Sequence, residues 1–102
     1  FNEPCDHFPV MTHEVLLADM TREANKRFFA SIDEVPTKAV TMGIGTVMAA
    51  RKIVMVITGA DKADILCRAF FGPVTPEVPA SILQVHPDVT LICDEAAASK
   101  MP

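Results

Sequence analysis

One hundred and two residues make one domain's worth of chain, and with half of them hydrophobic the chain can pack a core. A net charge of −4 with neither Trp nor Tyr excludes the basic, base-stacking surface that nucleic acid requires. The longest apolar run, "IVMVI" at 53–57, is too short to cross a bilayer and no stretch reads as a signal peptide, so no membrane partner and a cytoplasmic location are expected.

Residues 1–15 read as a loop, with Pro4 and Pro9 and scattered polar residues at Asn2, Glu3, Asp6, His7, Thr12 and His13. Helical spacing then places Leu17, Met20, Ala24 and Phe28 on one apolar stripe, with Asp19 positioned to cap and Arg22, Glu23 and Lys26 opposite. Proline disfavours a helical residue ahead of it, so this helix should end before Val35-Pro36. A short strand is predicted at 39–42. "GIGTVMAA" follows as a tight turn into about one turn of helix.

"KIVMVITG" is apolar on both faces, which predicts a strand in the interior of a parallel sheet, ended by Gly59. In "ADKADILCRAFF" the stripe Ala63, Leu66, Cys67, Phe70 predicts a helix, stopped at Gly72-Pro73. A proline-punctuated connection runs to His86-Pro87, and "VTLIC" at 89–93 makes the last strand with Asp94 at its carboxyl end. Strand, helix, long connection, strand is the α/β plan: a partial parallel sheet of about three strands flanked by helices.

Cys5, Cys67 and Cys93 are isolated thiols without CxxC spacing, which argues against a disulfide framework and fits a reducing compartment. Cys67 and Cys93 lie in apolar patterns and are expected to be buried and inert. His7, His13 and His86 show no metal-ligand spacing with one another or with the cysteines, so neither a metal nor another cofactor is expected, and His86 reads as structural. Ser31, Ser81 and Ser99 lack a nucleophile elbow.

The stretch richest in chemistry is "VITGADKADIL". A buried strand ends, a glycine frees the backbone, and a helix opens with Lys62 in its first turn. Helix N-termini favour anions, and ligands of open α/β sheets gather beyond the carboxyl ends of the strands. A solvated lysine beside Asp61 accounts for Lys62 at least as well on local grounds. Arg27, near the close of the first helix, is likewise explained by the helix dipole alone. "GIG" at 43–45 lacks the third glycine of a dinucleotide fingerprint.

"FNEP", "TREANKRFF", "VPTKAVTMGIGTVMAARKIVMVITGADKA", "GPV" and "PASILQVHP", in this order, resemble the C-terminal half of the glucosamine-6-phosphate deaminase (glucosamine-6-phosphate isomerase) family. The resemblance runs from Phe1 to about Glu95. It implies the C-terminal half of a Rossmann-like three-layer fold, residues 1–102 then being a single partial domain. The implied reaction converts glucosamine 6-phosphate and water into fructose 6-phosphate and ammonia by acid–base chemistry without a metal.

Under this resemblance Glu3 matches the "FNEP" glutamate, whose carboxylate supports a ring-opening histidine. Arg27 and Lys62 match the two cations that hold the substrate phosphate, which reverses the local reading of both. The family's "G-x-D-G-H-I" segment, its proton-abstracting aspartate and its phosphate loop are not among the 102 residues, and neither His7 nor His13 matches the family's histidine. "MTHEV" at 11–15 stands where allosteric members carry an "R-x-R-x-K" stretch, so activation through that site is not expected. The alternatives are a non-catalytic fragment or assembly module, and a 6-phosphogluconolactonase-like or other isomerase of the same fold. An uncovered sheet should make the chain a homo-oligomer.

Overall fold

The computed structural model describes residues 3–102. In chain order its elements are β1 (His13–Leu16), α1 (Asp19–Asn25), β2 (Lys38–Thr41), α2 (Ile44–Met48), β3 (Ile53–Ile57), α3 (Ala63–Phe71) and β4 (Val89–Cys93). Single 3-10 turns lie at Lys26–Phe28, Ile32–Glu34 and Ala60–Lys62, and a longer 3-10 stretch at Pro79–Val85. The α/β plan holds: β3 and β4 pair in parallel, from Ile53 opposite Val89 to Ile57 opposite Cys93.

The pair is fastened at both ends. Ahead of the strands, the Asp88 N–H donates to His86 Nδ1 at 3.0 Å, so His86 Nε2 carries the hydrogen and donates to the Ala50 carbonyl at 2.7 Å. The ring is therefore a structural clamp between the two strand entrances, as the sequence predicts. Beyond the strands, Asp94 accepts the Gly59 N–H at 3.1 and 3.2 Å from its two oxygens, and the Ala97 N–H at 2.8 Å.

The structure differs from the sequence reading at five points. A second sheet exists, with β1 antiparallel to β2 from His13 opposite Thr41 to Leu16 opposite Lys38, so residues 13–15 are strand and not loop. The cross-strand ion pair Lys38–Glu14 at 3.1 Å adds to it, but four residues are too few to show a period. The first helix is shorter than predicted and buries none of its residues; Met20 is 84% and Phe28 68% exposed. Arg22, assigned to the solvent face, instead turns inward and donates to the carbonyls of Ile32 (3.1 Å) and Val35 (3.2 Å), latching α1 to the segment before Pro36.

β3 is not an interior strand: within this chain Val54 and Val56 stay 62% and 66% exposed. Cys67 and Cys93 are half-buried, not buried. α3 buries Ala63 and Leu66 of the predicted stripe, leaves Cys67 and Phe70 half-buried, buries Ala69 beside them, and packs on Pro79–Val85. Buried Ser81 is satisfied by Thr75, accepting its N–H at 2.8 Å and donating to its carbonyl at 2.9 Å. Gln84 caps α3 by donating to the carbonyls of Ala69 and Gly72 at 2.7 and 2.9 Å.

The core is small for the chain. The accessible surface is 6848 Å2, against roughly 5,700 Å2 for a compact monomer of this mass. The radius of gyration is 14.3 Å, where about 13 Å is usual for 100 residues. Part of the surplus is the open face that carries Val54, Val56 and Ile92.

The "GIG" glycines have a packing role. Ile44 and Gly45 donate their N–H groups to the Pro9 and Val10 carbonyls at 2.7 and 3.1 Å, supplying acceptors to the start of α2. A Cβ on Gly43 would overlap the Val10 carbonyl, and one on Gly45 would stand 2.6 Å from Val10 Cγ1. Gly43→Ala should therefore lower stability by roughly 1–3 kcal/mol through overpacking. Chemical denaturation of the two proteins measures this directly.

Candidate functional site

Two anchored turns carry the three residues of interest. At the first, Glu3 is half-buried and its carboxylate accepts the Ala18 N–H at 3.1 Å and the Thr21 hydroxyl at 2.9 Å. The predicted capping by Asp19 does not occur: Ala18 occupies the N-cap position, and Glu3 satisfies its N–H from fifteen residues upstream. Phe1 and Asn2 of the "FNEP" motif lie outside the described residues. Arg27 sits in the 3-10 turn that follows the same helix, exposed, with its guanidinium 4.6 Å above the centre of the Phe28 ring.

The second turn begins at the carboxyl ends of β3 and β4. Gly59 has φ 96°, the one positive φ among the described residues, a conformation that favours glycine. Its N–H points at the Asp94 carboxylate while its carbonyl accepts the Lys62 N–H at 3.2 Å, so Asp94 fixes the turn from which Lys62 projects. Lys62 is exposed and precedes the first residue of α3. The ion pair with Asp61 that a purely structural lysine would use is not formed. Among the described residues neither Lys62 nor Arg27 has an ion-pair or hydrogen-bond partner for its charged head.

Glu3 and Arg27 are thus tied to α1, and Lys62 to the β3–β4 pair. Sequence reasoning missed Thr21 as the partner of Glu3 and gave Asp94 no role, although an acidic residue directly after an apolar strand was the available signal. It also missed a cluster beside Glu3: Cys5 Sγ, Asp6 Oδ1 and His7 Nδ1 lie within 4.8 Å of one another. His7 shows no standard metal-ligand spacing with a cysteine, yet consecutive residues on a bent loop meet without one. The His7 imidazole, and after it the Cys5 thiol, hold the Asp6 carboxyl below its ordinary 3.8 by hydrogen bonding.

The sequence matches the model of the glucosamine-6-phosphate isomerases/6-phosphogluconolactonase family over residues 8–92. The chain belongs to this family. A glucosamine-6-phosphate deaminase of Lachnoclostridium phytofermentans is 58% identical over 93 residues, covering 91% of this chain and 39% of its own. One from Streptococcus thermophilus is 58% identical over 101 residues, covering 99% of this chain and 43% of its own.

A solved structure described as a monomeric glucosamine-6-phosphate deaminase of the NagB superfamily superposes with a TM-score of 0.90 at 45% identity. The match covers 97% of this chain and 41% of that one. This chain therefore spans about two fifths of the length of these relatives. Among the described residues, no helix of this family member is long and apolar enough to cross a membrane.

Asp94 is the residue through which the family member's strand ends hold the Lys62 turn. Asp94→Ala should cost about 1 kcal/mol, as for loss of a capping carboxylate. It should also speed amide exchange at Gly59 and Ala97 while leaving His86 and its partners unchanged, which hydrogen exchange read by NMR checks.

Proposed function

We propose that the chain is the C-terminal half of a glucosamine-6-phosphate deaminase domain, contributing Glu3, Arg27 and Lys62 to a site that converts glucosamine 6-phosphate and water into fructose 6-phosphate and ammonia. The observation that carries this reading is Lys62 at the head of α3, beyond the carboxyl ends of parallel strands, with an ammonium that no carboxylate among the described residues neutralises. A phosphate dianion supplies the missing countercharge. Arg27 adds planar, bidentate donors to the point charge of Lys62.

Glu3 is held by two donors, and a carboxylate has about four acceptor positions. Its orientation is therefore set while capacity remains for an imidazole N–H, the arrangement that fixes a histidine's tautomer for proton transfer during ring opening. That histidine and the proton-abstracting aspartate belong to the family's preceding segment. Three unpaired thiols favour a cytoplasmic setting.

The test is ammonia release from glucosamine 6-phosphate by this chain alone, and by this chain mixed with the unmatched portion of the Streptococcus thermophilus relative. Activity is expected only on mixing. Arg27→Ala or Lys62→Ala in the mixture should lower kcat/KM by about 10–100-fold, since a charged hydrogen bond is worth ~1.5–3 kcal/mol. Activity of the isolated chain, or indifference to both substitutions, overturns the proposal.

The structural relative is described as monomeric, so homo-oligomer formation is proposed for this chain alone, through its own open β3–β4 face. Light scattering at micromolar concentration should give at least a dimer, and Val54→Lys with Val56→Glu should return it to the monomer mass.

A further inference from the structure

The cluster at Cys5, Asp6 and His7 takes no part in the proposed deaminase site. Cys5 Sγ lies 3.5 Å from both Asp6 Oδ1 and His7 Nδ1, and His7 Nδ1 lies 2.6 Å from Asp6 Oδ1. The loop that carries them is held on each side: Glu3 is bound to the start of α1, the Cys5 N–H donates to the Pro76 carbonyl at 3.0 Å, and the Pro9 carbonyl accepts from Ile44.

A nucleophilic Cys–His–Asp relay does not fit this geometry. Such a relay uses opposite ring nitrogens, one to take the thiol proton and one to be oriented by the carboxylate. Here thiol and carboxylate both approach Nδ1. Three donors of different softness converging on one point fit a shared cation instead.

We infer that Cys5, Asp6 and His7 form a binding site for a borderline divalent transition metal, with zinc as the best match. Thiolate, imidazole nitrogen and carboxylate are the ligand types zinc accepts, and bond lengths of 2.0–2.3 Å in a tetrahedron place donor atoms about 3.4–3.6 Å apart. Both sulfur separations already meet that value. Only the Asp6–His7 pair must open, by roughly 0.8 Å, and the Asp6 side chain, 94% exposed, is free to move. The fourth position is left to water.

The proton balance is simple. In the metal-free loop the His7 Nδ1–H and the Cys5 S–H both donate to Asp6 Oδ1. Binding forms the metal–sulfur bond as the thiol proton passes to solvent, and the neutral imidazole moves its hydrogen to Nε2 so that the Nδ1 lone pair faces the ion. Thiolate and carboxylate then neutralise the divalent charge.

Titration of the reduced, chelator-stripped chain with cobalt, followed by competition with zinc, tests the site. One equivalent of cobalt should produce a thiolate-to-cobalt charge-transfer band that zinc abolishes, with about one proton released per ion. Cys5→Ser should remove the band. His7→Gln and Asp6→Asn should each weaken binding at least roughly tenfold, whereas the double variant Cys67→Ser/Cys93→Ser should bind as the parent does. Circular dichroism confirms that each variant is folded. Absence of a band in the parent, persistence of the band in Cys5→Ser, indifference to His7→Gln, or loss of the band in the double variant overturns the inference.

Discussion

The parallel pairing of β3 with β4 is the constraint on which the rest depends. Strands that run side by side in one direction must be joined by a long crossover, and here α3 and Pro79–Val85 make it. Apolar burial along that crossover presses the strands together without fixing where they start or finish. The fixing is polar. His86 bridges Ala50 and Asp88 at one end, and Asp94 grips Gly59 at the other. Since Gly59 opens the turn that ends at Lys62, the position of a charged side chain follows from a carboxylate thirty-two residues further along the chain.

The two halves of the proposed site differ in how they are held. Lys62 inherits its place from a paired sheet and a helix with three buried residues. Glu3 and Arg27 depend on α1, seven residues long and without a buried side chain, which is fastened by Glu3 itself and by the inward turn of Arg22. Arg22 Nε is buried with no partner, so the latch carries an unmet polar demand that two good carbonyl contacts outweigh. A short helix held by charged side chains is marginal in isolation. This arrangement makes the α1 side the more adaptable of the two.

How far the sequence revealed this structure tracks the range of the interactions involved. α3, β3, β4 and the Gly59 break were legible because local period and a glycine signal specify them. The β1–β2 pairing was not, because four-residue strands show no period and their partner lies more than twenty residues away. Met20 and Phe28 carry helical spacing yet remain exposed, so a hydrophobic stripe alone does not say what covers it. Glu3, Arg27 and Lys62 were singled out by family likeness, since each has an adequate local explanation. Their anchors, Thr21 and Asp94, reach across 18 and 35 residues, beyond what any window of sequence contains.

The meeting of Pro9 and Val10 with Ile44 and Gly45 ties the opening loop to the centre of the molecule. α2 has five residues and cannot persist unaided, so its first N–H groups take carbonyls from a segment more than thirty positions earlier. Pro9 and Val10, which end the loop carrying Glu3, Cys5, Asp6 and His7, in this sense stand in for the missing first turn of the helix that precedes β3 in the chain. Whatever stiffens or loosens that loop changes the support of α2, a tie between the early loop and the middle of the chain that bypasses α1.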